Sequence, residues 1–348
     1  MKNIIENTTI GGKRESLADK LPLTAPYLLQ IFPVYGCNFK CEYCIYSLPR
    51  SEHGYISDQT FMEMSLYKKI IDDIADRNEK IKMLRFAAIG EPLLHKEIAE
   101  MVSYAKAAQI AESIDIVTNG SLLNKKLSDD LVNAGLSRLR ISIEGLSDED
   151  YKKHTSSSID FRQMVENIKY FYENCGQTRI YIKIIDYMVQ DKEKEKKFFE
   201  LFESVCHHIA IEHLTPTISE IDYDLISGGM ELDKPQNGEC LQVSQICPQP
   251  FYMMQVNPDG NIVPCCSMKY PAVLGDVHKE NLLDIWGGDS FNRFRSDMLH
   301  SVAQAGTVCK NCTLYLYDMH SEDRLDAYSE KLLLKYGEKE NGRNKTKL

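Results

Sequence analysis

Apolar and polar residues follow two rhythms along this 348-residue chain. From about residue 27 to 218, short runs rich in β-branched and aromatic residues recur: "YLLQIFPV", "KMLRFAAI", "SIDIVTN", "RLRISIEG", "RIYIKIIDYMV" and "IAIEHLTPTI". Between them apolar positions return every three or four residues, as in "DQTFMEMSLYKKIIDDIADR" and "DKEKEKKFFELFESV", the period of an amphipathic helix. Six strand–helix units in succession predict an α/β fold, a parallel sheet with helices outside. Periodicity alone leaves open whether the sheet curls into a partial barrel.

After residue 219 the alternation stops. "SEIDYDLISGGMELDKPQNGE" reads as a loop, and "FYMMQVNPDGNIVPCC" as two short strands around an Asn-Pro-Asp-Gly turn. "NLLDIWGGDSFNRFRSDML" reads as a helix interrupted at Gly287–Gly288, and the polar "GEKENGRNKTKL" as a disordered tail. The expected division is an N-terminal extension (1–26), an α/β core (27–218), a connecting loop (219–240), a small cysteine-bearing domain (241–320), and a C-terminal helix with its tail (321–348).

Composition adds limits. Hydrophobic residues make up 43% and charged residues 26%, as in ordinary globular proteins. A net charge of −10 argues against nucleic-acid binding, which needs a basic face. The chain opens without a signal-type apolar segment, and no apolar run approaches the ~20 residues that span a bilayer. A cytoplasmic protein without membrane contact is expected. There the eleven cysteines read poorly as a disulfide framework, so metal or redox chemistry becomes the default for those that cluster.

The densest cluster is "VYGCNFKCEYC", with Cys37, Cys41 and Cys44 just after the first strand run. Functional residues in such sheets gather beyond the strands' carboxyl ends. "GEP" (Gly90 to Pro92) follows the second run, "TNG" (Thr118 to Gly120) the third, and "SIEG" ends the fourth. Three thiolates can hold three irons of a cubane and leave the fourth open to a substrate or cofactor. The bland alternative pairs Cys41/Cys44 with Cys309/Cys312 as a structural zinc site, which leaves Cys37 unexplained.

C-x3-C-x2-C in this place is similar to the loop of the radical S-adenosylmethionine (SAM) enzymes, with Tyr43 in the aromatic position before the third cysteine. The resemblance implies a partial (β/α)6 TIM-like barrel. It also implies a 4Fe–4S cluster whose open iron binds SAM, and cleavage of SAM to a 5′-deoxyadenosyl radical. "IGEPLL" resembles the family's Gly-Gly-Glu-Pro element, with Ile89 in place of the first glycine; Gly90, Glu91 and Pro92 then belong to the SAM pocket, Glu91 accepting from the ammonium. Ser142 and Glu144 share one side of a strand, which suits the ribose and methionine end. Asn119 is a further candidate for that pocket.

The C-terminal cysteines resemble the SPASM/twitch extension of the same family, in its shorter form with one auxiliary cluster. Cys247, Cys265, Cys309 and Cys312 would ligate a second 4Fe–4S cluster fully; the spacing favours Cys265, with the adjacent Cys266 as the alternative or as a free thiol. Cys175, Cys206 and Cys240 fit neither group; Cys240 alone, in the connection just before the second cluster, is a candidate hydrogen-atom donor.

The spacing resembles that of twitch-domain dehydrogenases acting on 2-deoxy-scyllo-inosamine. It implies oxidation of a polar small molecule, a sugar, aminocyclitol or nucleoside, from alcohol to ketone, with the auxiliary cluster as electron acceptor. A base is then needed; Lys183, Asp186, Glu212 and His213 lie near late strand ends, where ordinary surface or salt-bridged residues are the alternative. Epimerisation with a cysteine donor, maturation of a ribosomal peptide and a passive electron carrier stand as alternatives. The resemblance implies a flavodoxin or ferredoxin as reductant.

Overall fold

A computed structural model describes residues 14–54, 57–87, 89–234, 241 and 243–343. Six parallel strands form its core: β1 (Leu28–Ile31), β2 (Ile81–Phe86), β3 (Ala111–Thr118), β4 (Arg138–Ile143), β5 (Arg179–Ile185) and β6 (His208–Glu212). They lie in chain order, and among the described residues β6 pairs with β5 alone, so the barrel is open at that edge. The expected strand–helix alternation is present throughout this region.

Helices α1 (Met64–Ala75), α2 (Ile98–Ala108), α3 (Lys125–Asn133), α4 (Asp148–Thr155), α5 (Phe161–Glu173) and α6 (Lys192–Phe202) connect the strands. Several begin where the sequence supplies a short polar cap. Asn124, Ser147, Asp160 and Asp191 each accept a hydrogen bond from the backbone N–H of the third helical residue. Alternate strand residues such as Leu84, Phe86, Leu139, Ile141, Ile182 and Ile184 are fully buried in the main apolar core. Their neighbours at period two point to the opposite, inner face.

Four readings need correction. The helix expected from Asp58 begins at Met64, because the preceding residues run extended and Phe61 bridges to Val34. The fifth strand run ends at Ile185, where Asp186–Val189 form a 3₁₀ turn, and the expected loop after 219 contains a short helix, Tyr223–Ser227. The tail expected to be disordered is helical as far as Arg343 in α8 (Ser329–Arg343). Leu332 and Tyr336 are buried in a second apolar cluster with Phe251, Phe294 and Met298, and a helix anchored by packing propagates at little further cost. Residues 344–348 lie outside the described part.

The C-terminal region joins the sheet instead of standing beside it. Strand β7 (Met253–Val256) pairs in parallel with β1, and β8 (Asn261–Val263) and β9 (Gly275–Asp276) follow in antiparallel. The turn between β7 and β8 is closed by a hydrogen bond from Gly260 N to Asn257 O, 3.0 Å, with Gly260 at φ 81°, a conformation glycine adopts without strain. Beyond it, a helix at Leu282–Trp286 and α7 (Asp289–His300) are separated by the Gly287–Gly288 break expected from sequence. The N-terminal segment packs on this same region: Arg14 pairs with Asp323 at 2.8 Å, and Leu17, Ala18 and Leu21 lie in the second cluster. No helix among the described residues is long and apolar enough to cross a membrane.

Candidate active site

The loop after β1 is fixed by its backbone. Lys40 N and Glu42 N donate to Thr155 O and His154 O at the end of α4, 2.9 and 3.0 Å, and His154 Nδ1 meets Glu42 Oε1 at 2.6 Å. Cys37, Cys41 and Cys44 therefore come close enough to influence one another's ionisation. Burial is the main cause of their raised pKa values, to about 12 for Cys37 and about 11 for Cys44. Thiols in such a place shed their protons when a metal supplies positive charge, so the donor set suits an iron cluster held from one loop.

The GEP and TNG turns close on this loop. A Cβ at Gly90 would stand 2.2 Å from Val34 O, so only glycine lets the turn press against the chain leading to Cys37. Glu91 N donates to Gly36 O at 2.9 Å. The Glu91 carboxylate, 1% exposed, accepts from Leu93 N at 2.9 Å, Thr118 Oγ1 at 2.7 Å and Asn119 N at 2.7 Å. Burial raises it to about 7 against the pull of those donors. Asn119 Nδ2 donates to Asn38 Oδ1 at 2.9 Å, inside the cysteine loop. Pro92 opens the 3₁₀ turn that follows.

Glu144 accepts from Tyr43 OH at 2.7 and 2.9 Å, and burial holds its carboxyl above the usual range. Ser142 lies on the inner face of β4, in register with Lys183 on β5. Sequence-selected residues from four strand ends thus come together around the three thiols.

The four late-strand candidates form two pairs. His213 Nδ1 meets Asp186 Oδ2 at 2.7 Å, with Asp186 Oδ1 also accepting from Leu214 N at 3.1 Å. Lys183 donates to Glu212, which also accepts from Tyr181 OH at 2.9 Å and has Arg140 at 3.9 Å. Burial pushes Glu212 up, but Lys183, Arg140 and Tyr181 outweigh it and hold the carboxyl below the usual range.

The C-terminal thiols line one cavity, about 380 Å³ and partly open to solvent, that includes Cys247, Cys265, Cys309 and Cys312. Cys266 is not among its lining residues; its Sγ lies 3.8 Å from Gln249 Oε1, and its electrostatic neighbours include Asp318, Arg85 and Cys312. Burial raises Cys266 and Cys309 to about 12. Among the described residues no three His, Cys, Asp or Glu side chains converge as a single-ion site. Cys175 and Cys206 are buried in the main core, away from both groups, and Cys240 lies outside the described residues.

Sequence reasoning missed the inner-face charges, above all Arg85 and Arg140, and Asp318 on the C-terminal side. The signal was present in "KMLRF" and "RLRIS", where arginines alternate with apolar residues in strands whose other face is core.

Residues 31–205 match the radical SAM superfamily, half of the chain, and the protein belongs to that family. Residues 247–313 match the SPASM iron–sulfur cluster-binding domain. SAM, a 4Fe–4S cluster and auxiliary iron–sulfur ligation follow from these two domains. A Pyrococcus furiosus protein described as the tungsten-containing aldehyde ferredoxin oxidoreductase cofactor-modifying protein is 23% identical over 297 residues, covering 74% of this chain and 80% of the relative. A GTP 3′,8-cyclase of Clostridium perfringens is 24% identical over 172 residues, 49% of each chain, so the match spans about half of that relative's length.

Among solved structures, Streptococcus suis SuiB bound to SAM superposes with a TM-score of 0.60 at 16% identity, covering 88% of this chain and 78% of SuiB. BtrN in complex with SAM and 2-DOIA gives 0.55 at 17% identity, covering 83% and 93%. At these identities the likeness is one of fold.

Proposed function

We propose that this protein is a radical SAM oxidoreductase that dehydrogenates an alcohol carbon of a polar small molecule, such as a sugar, aminocyclitol or nucleoside. The observation that carries the reading is the convergence of Cys247, Cys265, Cys309 and Cys312 on one cavity, a complement for full cluster ligation with no position left for substrate. Cys37, Cys41 and Cys44 would hold the first cluster, and Tyr43, Gly90, Glu91, Pro92, Asn119, Ser142 and Glu144 would shape the SAM pocket. When bound, these groups supply a 5′-deoxyadenosyl radical that takes a hydrogen atom from substrate and, at the auxiliary cluster, an acceptor for one electron.

The chain's own residues supply the remaining proton transfer. Asp186 orients His213 through Nδ1, which leaves Nε2 free to accept the hydroxyl proton. Lys183 and Glu212 neutralise each other and serve better to position substrate than to move its proton. The proposed electron donor is a flavodoxin or ferredoxin.

A second reading, epimerisation, is favoured by Cys266, whose thiol is outside the four-thiol cavity and beside inner-face Arg85. A thiol there could return hydrogen to the substrate radical.

Anaerobic reconstitution tests both. About eight irons per chain are expected for wild type, and about four for Cys265→Ala and for the Cys37/Cys41/Cys44→Ala variant. Cys266→Ala should keep about eight. About four irons in wild type would remove the electron acceptor and with it the dehydrogenase reading. Solvent deuterium appearing at a substrate carbon, and lost in Cys266→Ala, would favour the epimerase.

A further inference from the structure

The inner face of the sheet carries charge of a sign the whole chain does not. Register places Arg85, Asp115 and Arg138 side by side across β2, β3 and β4, and puts Arg140, Lys183 and Glu212 on the same face further along. Arg138 pairs with Asp115 at 3.3 Å, and Lys183 pairs with Glu212. Arg140 has a share of Glu212 at 3.9 Å and stacks over the Tyr181 ring at 5.1 Å.

Arg85 is left over. Its Nε is buried with no hydrogen-bond partner, and its Nη2 reaches the Met83 sulfur at 3.1 Å, a weak acceptor for a cation. It forms no ion pair among the described residues. A buried donor without an acceptor is costly, and two guanidiniums facing one space repel each other, as the lowered pKa of Arg85 beside Arg140 reflects after burial itself. Asp318, from the C-terminal region, faces Arg85, Arg140, His320 and Glu212, and burial holds its carboxyl above the usual range. It makes no ion pair with either arginine. The charged groups around this space are therefore Arg85, Arg140, Lys183 and Arg138 on the cationic side, and Asp115, Glu212 and Asp318 on the anionic side, with the His320 imidazole and the Cys266 thiol adjacent.

We infer that Arg85 and Arg140 form an anion subsite in the barrel interior, which binds a carboxylate or phosphate group carried by the substrate. The inference rests on the proposed function only in naming that space as the substrate's. A net charge of −10 repels anions at the surface, so a paired guanidinium site inside is selective for a ligand that already fits the chamber. The planar forks suit both oxyanions, and the two sources differ in charge and size.

Ligand-observed NMR on the full-length, reconstituted protein tests this with two probes: inorganic phosphate, followed by phosphorus line broadening, and acetate, followed by saturation transfer. At least one should bind wild type, and its affinity should fall about tenfold in Arg85→Gln and in Arg140→Gln, in line with loss of a charge-assisted pair. Arg77→Gln, which changes an exposed arginine paired with Asp284, should bind as wild type. Preference for phosphate would assign a phosphate ester, and preference for acetate a carboxylate.

No binding of either probe to wild type overturns the inference. So does equal binding by wild type and both inner-face variants, or an equal loss in Arg77→Gln. Should one inner-face variant misfold, the other carries the same comparison. SAM cleavage by wild type under reduction, measured alongside, reports on the proposed function separately. Cleavage without anion binding overturns only the subsite, and anion binding without cleavage overturns only the enzyme.

Discussion

Glu91 is a carboxylate almost without water, held by three donors, and its titration can be read as stability. Burial lifts it to about 7, from an ordinary value of 4.5. Between those values the unfolded chain has released the proton and the folded chain keeps it. The folded state then binds more protons, so this residue's contribution to stability declines as pH rises through the window. In SAM-free protein, urea unfolding of Glu91→Gln at pH 4.5 and 7.5 should show a smaller loss of stability with rising pH than wild type, by roughly 3 kcal/mol at most. Equal pH dependence in the two proteins would contradict this account of the site. Residues of this kind were legible because each stood in a short motif beyond a strand end. Thr118 and Asn38 lie inside the same motifs but were not singled out from sequence, and their part in the network became visible only through their contacts.

Elements transmit such positions over longer distances, and α7 does so through one residue. Arg295, 3% exposed, donates to Pro250 O at 2.9 Å and Trp286 O at 2.8 Å, with its guanidinium 3.9 Å from the Trp286 ring centre. It ties α7 to the segment just after Cys247 and to the helix before the Gly287–Gly288 break. Arg295→Ala removes the stacking and leaves two buried carbonyls without a donor, a loss of about 3 kcal/mol. Thermal unfolding should record it, and iron per chain should drop towards half as the second thiol group loosens. A variant as stable and as iron-rich as wild type would show that α7 does not hold that group. At this scale the strands and the glycine break were readable from local pattern. The late start of α1 was not, because "DQTFME" is compatible with a helix until Phe61 finds a bridging partner at Val34.

Across the whole molecule, the division expected from sequence meets a sheet that does not divide. Strand β7 sits against β1, the N-terminal segment packs with α7 and α8, and Trp286 Nε1 donates to Leu23 O at 3.0 Å. Core and cysteine-bearing region therefore share strands and apolar surface. Urea unfolding followed by Trp286 fluorescence and by far-ultraviolet circular dichroism should give coincident transitions for reconstituted protein. Separate midpoints would mean that the shared sheet does not couple the two regions.

The sequence by itself determined the features that depend on near neighbours. Thiol spacing sets which cysteines one loop can offer to a cluster, and apolar period sets strand or helix; both act within a few residues, where the chain's own geometry leaves little freedom. Which of two adjacent cysteines turns into the four-thiol cavity, and which arginines share the barrel interior, was decided only by tertiary structure. Those choices depend on strands distant in sequence meeting in one register, and on a C-terminal carboxylate facing them across a space that no local pattern encodes.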